Sequence, residues 1–149
     1  MNIPEFINQK LPPGIHECTL DEFKEVFGFN HKRRIQIKGL ERAIEKFVSA
    51  GAKVLYIDGS FVTTKNNPGD YDACYSLEQL DPLKCTELGV LLDPSKKGRE
   101  QQKFRYGGEF FPGSIPADRI GTLYIDFFQR DKETGTAKGI IALKIGGEE

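Results

Sequence analysis

Between Asn30 and Ile57 the chain carries a helical pattern and then, within a few residues, an apolar run that does not alternate. From His31 to Ala50 the apolar residues Ile37, Leu40, Ile44, Phe47 and Val48 recur at helical spacing, with Asn30 placed to cap the start and Gly51 just past the end. Lys53 to Ile57 reads as a strand, and its unbroken apolar stretch predicts burial on both faces. A helix that runs almost directly into a buried strand restricts the chain to helices layered on a sheet, an α/β or α+β fold.

A length of 149 residues suits one domain with a sizeable core. Residues 1–18 hold Pro4, Pro12, Pro13 and Gly14 and read as an extended arm lying over a domain of residues 19–149. Thr19-Leu20-Asp21-Glu22 has the capping-box spacing and predicts a short helix to Phe27, ended by Gly28. Asp81-Pro82 starts a helical turn toward Leu88, and Asp93-Pro94-Ser95 caps a helix from Lys96 to about Phe104. The stretch FRYGGEFFPGSIP reads as irregular. Gly121 to Gln129 reads as a core strand with Asp126 in its middle, and Gly139 to Ile145 as the return strand of a hairpin with it.

With 21 basic and 22 acidic residues, the chain has no net field to attract nucleic acid or a membrane, so any binding site must be local. Three cysteines without CxxC spacing and only two histidines argue against zinc and fit a reducing cytosol. No signal pattern and no long apolar run is present, which predicts a soluble cytoplasmic protein.

The chemistry concentrates between Asp58 and Asp72. Asn66-Asn67-Pro68-Gly69 makes a turn before a strand beginning near Asp70, and alternate residues of a strand share a face, so Asp70 and Asp72 project together. Such a pair must be solvated, neutralised by a basic side chain or occupied by a metal ion. Asp126, inside the apolar LYIDFF, requires a partner if buried, and a third carboxylate would complete a cluster able to hold divalent ions for phosphoryl transfer. Gly59 lets a phosphate approach the backbone, Ser60 and the N–H groups after it can bind a phosphate tail, and Lys65 can add a counter-charge. Lys96, Arg99 and Lys103 share a helical face and, with Lys97 and Arg105, can meet a triphosphate or an RNA end; a solvated basic face is the plain alternative. The same choice holds for His31, Lys32, Arg33 and Arg34 at the start of the long helix. Tyr106, Phe110 and Phe111 suit either base stacking or the core, and Cys74 suits packing.

These residues resemble the nucleotidyltransferase superfamily of DNA polymerase beta-like fold. Its motif is an apolar residue, Gly-Ser, a spacer, Asp-x-Asp or Asp-x-Glu, and a third carboxylate on a later strand. Here Ile57-Asp58-Gly59-Ser60, nine intervening residues, Asp70-Tyr71-Asp72, and Asp126 in YIDFF match in order and spacing. The opening LPPGIHECTLDEF, the loop GSFVTTK and the ending KGIIAL look like those of small bacterial and phage proteins of this fold, a likeness over most of the chain. The resemblance implies a single domain with helices packed on a mixed sheet. It also implies Mg²⁺- or Mn²⁺-dependent transfer of a nucleoside monophosphate from an NTP to a hydroxyl of a protein, a tRNA end or a small molecule. Asp70, Asp72 and Asp126 would then be the catalytic and metal-binding carboxylates, and Gly59, Ser60, Thr63, Lys65, Lys103 and Arg105 the nucleotide-binding set. One departure is Asp58, acidic where many superfamily members are apolar; it either pairs with Lys65 or repels phosphate. Two other classes use the same residues: a non-catalytic module, such as the antitoxin of a toxin–antitoxin pair, that binds a nucleotide or a partner protein, and a metal-dependent phosphoesterase.

Overall fold

The helix and strand signals around residue 50 become the centre of the molecule. The computed structural model describes residues 3–131 and 134–146; residues 1–2, 132–133 and 147–149, which include the outermost parts of the expected arm and domain, lie outside it. In chain order the elements are β1 (Gly14–Thr19), α1 (Leu20–Phe27), α2 (His31–Ser49), β2 (Val54–Asp58), β3 (Tyr71–Tyr75), α3 (Lys96–Tyr106), β4 (Gly108–Pro112), α4 (Tyr124–Phe127) and β5 (Gly139–Lys144). Short 3-10 turns occupy Ser60–Val62, Leu77–Gln79 and Pro82–Leu92. Among the described residues the strands form one mixed sheet in the order β1-β5-β2-β3-β4.

The helix starts follow the capping signals. The Thr19 hydroxyl accepts from the Glu22 N–H at 3.2 Å while the Glu22 carboxylate accepts from the Thr19 N–H at 2.9 Å, and the Asn30 side chain accepts from the Arg33 N–H at 2.9 Å. Each such cap is worth about 1 kcal/mol. Ser95 caps α3 in the same way, at the Gly98 N–H.

Register sorts the strand residues between two faces. Leu55 stands opposite Leu143, Ile57 opposite Ile141 and Ala73, and Ala73 beside Phe110. This row packs with Phe23, Phe27, Leu40 and Phe47 of α1 and α2 in the main core. The opposite face carries Tyr56, Cys74 and Phe111 in one row, and the pairs Asp58 with Asp72 and Asp72 with Glu109 in the next. β2 is therefore fully buried on the core face at Leu55 and Ile57 and half-buried on the second face at Val54 and Tyr56, where its last residue, buried Asp58, brings a carboxylate.

Three expectations give way. The arm is extended, but its last part is edge strand β1, parallel to β5, and Leu11 enters the main core. The stretch read as irregular contains β4, parallel to β3, because Phe110 and Phe111 serve opposite faces of the sheet. The LYIDFF segment is not a strand: Tyr124–Phe127 forms the single helical turn α4, and β5 pairs with β1 and β2 instead. Tyr124 and Phe128 sit one turn apart and pack on Phe111, with ring centroids at 4.7 and 5.5 Å. Apolar residues at 124, 125, 127 and 128 satisfy a helical stripe as well as a buried strand, so periodicity alone does not separate the two. Asp126 consequently lies exposed on α4 and needs no buried partner. Among the described residues no helix is long and apolar enough to cross a membrane.

Candidate active site

The loop between β2 and β3 is shaped by two constraints. Gly59 has φ +91° and ψ −171°, a conformation that side-chain-bearing residues rarely adopt, and a Cβ there would lie 3.1 Å from the Asp72 carboxylate. Ser60–Val62 then turns once, burying Phe61 against Phe23 and Tyr71. The Thr63 hydroxyl donates to the Ser60 carbonyl at 2.5 Å and accepts from the Lys65 N–H at 3.1 Å.

The second constraint comes from α2. Arg33 is fully buried, and its guanidinium donates to four backbone carbonyls: Phe27 at 3.0 Å, Phe61 at 2.7 Å, Thr63 at 2.9 Å, and Lys65 at 3.0 and 2.6 Å. Its planar fork also lies over the rings of Phe29 and Phe61, 4.2 and 4.7 Å from their centroids. Burial lowers its pKa to about 10, so it stays charged at neutral pH. Asn30 donates to the Asn66 carbonyl at 2.7 Å and Gln36 to the Pro68 carbonyl at 2.8 Å. Residues 30, 33 and 36 thus fasten the whole loop to the first turns of α2. Arg33 serves neither of its expected roles, an anionic partner or a solvated helix end. The N-terminal arm closes the far side, where the Thr64 N–H donates to the Gln9 carbonyl at 3.2 Å. Asn8 and Gln9 hold φ of 51° and 70° there, a strained pair for residues other than glycine.

A cavity of about 630 Å³ lies between loop, arm and sheet edge. Of the expected site residues, Gly59, Ser60, Thr63, Lys65, Asp70 and Asp72 line it. Lys103 stands at its rim, 3.5 Å from both Asp70 and Glu109. Arg105 is exposed at the end of α3 and Asp126 is exposed on α4; neither lines the cavity. The walls also include Asp58, Lys138, Lys10 and Asp131. Lys138 is 3.1 Å from Asp58, so the lysine of the described residues that meets this carboxylate is Lys138 rather than the expected Lys65. Lys10 pairs with Asp131. The acidic residue before Gly59 was visible in the sequence; its partner 80 positions later left no local trace.

Asp58, Asp72 and Glu109 occupy directly paired positions on three adjacent strands, and like charges so placed repel. Lys138 at one end and Lys103 at the other supply compensating charge. Glu109 first, then Asp70, raise the pKa of Lys103. Beneath this row Cys74 is buried in the cluster with Phe111 and Phe128, and burial pushes its thiol far above its ordinary range, with Asp58 and Asp72 adding to the effect. The aromatics offered for base stacking, Tyr106, Phe110 and Phe111, are core residues.

Among the described residues, no group of three or more His, Cys, Asp or Glu side chains stands ready to hold a metal ion. Asp70 and Asp72 offer hard oxygen donors to the cavity, a set that suits Mg²⁺ or Mn²⁺ when waters and phosphates complete the shell.

Residues 4–144 match a family described as a family of unknown function, DUF6932. The chain belongs to the DUF6932 family. No curated protein and no solved structure matches it. The matched span runs from the arm to the last residue of β5, so every residue that lines the cavity lies inside the DUF6932 region.

Proposed function

We propose that this DUF6932 protein is a metal-dependent nucleotidyltransferase that moves a nucleoside monophosphate from an NTP to a hydroxyl acceptor. The observation that carries the reading is the meeting of the Gly59-Ser60 turn with Asp70 and Asp72 in one cavity, with the Asp72 carboxylate 3.1 Å from the place a Gly59 Cβ would take. Ser60, the turn amides and Lys65 bind the triphosphate, and Arg33 holds the loop that presents them. Asp70 and Asp72 hold the divalent ion, which when bound neutralises charge on the phosphates. The acceptor oxygen forms a bond to the α-phosphorus, the bond to pyrophosphate breaks, and the hydroxyl proton passes to a cavity carboxylate. Asp126 stands apart from this cavity, and the carboxylates that flank Asp72 are Asp58 and Glu109. We place the activity in the cytoplasm, where the free thiols of Cys18, Cys74 and Cys85 stay reduced.

A second reading, a nucleotide- or protein-binding module without transfer, as in an antitoxin, is favoured by one observation. Lys138 pairs with Asp58, and Lys103 lies 3.5 Å from both Asp70 and Glu109, so the chain's own cations already offset part of the carboxylate charge that a metal would answer. Melting curves with each NTP, with and without Mg²⁺ or Mn²⁺, separate the two. Transfer predicts a shift that needs metal and nucleotide together, of about 2.7 kcal/mol at a hundredfold excess over Kd. A shift with nucleotide alone supports the module. Incubation with labelled NTP in lysate then reports transfer to an acceptor, whereas release of free NMP without label transfer indicates a phosphoesterase.

A further inference from the structure

The chain is nearly neutral, yet its charges are segregated. Leaving out buried Arg33, α2 and α3 carry ten Lys and Arg against three Glu, and one of these, Glu41, is paired with Lys24 at 2.6 Å. The two helices form one continuous surface. Gly39 of α2 meets the end of α3 so closely that a Cβ would lie 2.3 Å from the Tyr106 carbonyl oxygen, and Arg42 donates to the Arg105 carbonyl at 2.6 Å. Lys38 lies one turn before Arg42 on the same exposed face. At one border of this surface Lys103 reaches Asp70, so the basic face adjoins the cavity rim.

Phe104 is 85% exposed between Lys103 and Arg105. One exposed ring needs no explanation by itself. With Lys97 two turns and Glu100 one turn before it, and Lys103 and Arg105 on either side, it supplies the second half of a single-strand site, in which cations track phosphates and a ring stacks a base. Nothing in the overall charge points to such a ligand; the excess of cations on two packed helices, ten against three Glu, does.

We propose that the joined outer face of α2 and α3 binds single-stranded nucleic acid, with Lys38, Arg42 and Arg105 facing phosphates and Phe104 stacking a base. The binding stands apart from the transfer reading; its further consequence, that the strand's terminal hydroxyl is the acceptor, rests on that reading. A duplex does not offer a free base to Phe104, and an anionic membrane would leave the aromatic contribution independent of base structure.

Anisotropy of a fluorescein-labelled 20-nucleotide RNA with the full-length protein tests the surface at 50 and 200 mM KCl. Binding is expected at the lower salt and much weaker binding at the higher. Phe104→Ala is expected to weaken the single strand about tenfold and leave binding of the matched duplex unchanged. Lys38→Gln with Arg42→Gln is expected to lower the salt slope by about 1.4, the share of two phosphate contacts on a single strand. Circular dichroism and melting temperature confirm that the variants fold. No RNA binding at 50 mM KCl, indifference to both variants, or tighter binding to phosphatidylserine vesicles than to RNA overturns the proposal. If RNA binds as described but no NTP with Mg²⁺ shifts the melting curve, the transfer reading fails and the surface stands.

Discussion

Arg33 and Lys138 are both cations drawn into the fold, and they are held in opposite ways. Arg33 is surrounded by backbone carbonyls of Phe27, Phe61, Thr63 and Lys65, so its partners are part of the chain's course. Lys138 faces a side chain, the Asp58 carboxylate, at the floor of the cavity. A cation satisfied by main-chain oxygens cannot leave without unmaking the loop. One satisfied by a carboxylate can be exchanged for another cation. The first arrangement shapes the site, whereas the second leaves it able to respond to charge.

The largest expected effect tests the first half of this contrast. Arg33→Met removes every guanidinium hydrogen bond to the loop and leaves buried carbonyls without donors, at a cost of about 3–5 kcal/mol. Arg33→Lys keeps the charge but lacks the fork and should recover less than half of it. Denaturant unfolding of the three proteins measures this, and a loss in Arg33→Met no larger than that in Lys138→Met would make the two cations equivalent.

Lys138→Met should cost less, about 1–3 kcal/mol, and Asp58→Asn in the same protein should restore most of the loss. The sharper readout is the response to Mg²⁺ or Mn²⁺. If Lys138 is exchangeable, the single variant gains more stability from the metal than the parent does. Equal gains in the two proteins would show that Lys138 is as fixed as Arg33.

Gly59→Ala addresses the point where loop and carboxylate meet. The φ of +91° and the 3.1 Å approach to Asp72 together predict a loss of about 1–2 kcal/mol. Nucleotide affinity should fall with it. Unfolding midpoints and nucleotide titration check both, and an alanine tolerated without loss would mean that Asp72 does not depend on this turn.

The smallest effect belongs to Asp126. Exposed on α4 and outside the cavity, it should change stability by less than about 0.5 kcal/mol when replaced by Asn. The metal response should be unchanged, and a lost response in the melting curve would return Asp126 to the site.

Much of this molecule is written locally. The capping box at Thr19, the Asn30 cap, the helical stripe of α2 and the strand before Gly59 each depend on neighbours a few residues away, and each appears in the structure. The meeting of Gly59, Ser60, Asp70 and Asp72 was legible because a single loop joins two strands that pair as neighbours. The strand expected around Asp126 is a helical turn because LYIDFF satisfies both periods, and the choice fell to the packing of Tyr124 and Phe128 on Phe111. β1 and β4 needed partners from elsewhere in the chain before their short runs became strands.

The amino-acid order by itself determined where helices start and which carboxylates flank the glycine turn, since caps, stripes and turns are satisfied within a few residues. Tertiary structure alone decided which charges are buried and what answers them. Arg33 reads as one of four polar residues at a helix start, and only the carbonyls of a loop about 30 positions away make it a core residue. Asp58 and Lys138, like Lys10 and Asp131, meet because the sheet brings distant segments together. The physical reason is that desolvating a charge is costly unless a partner is in place, and that partner exists only once the chain has folded.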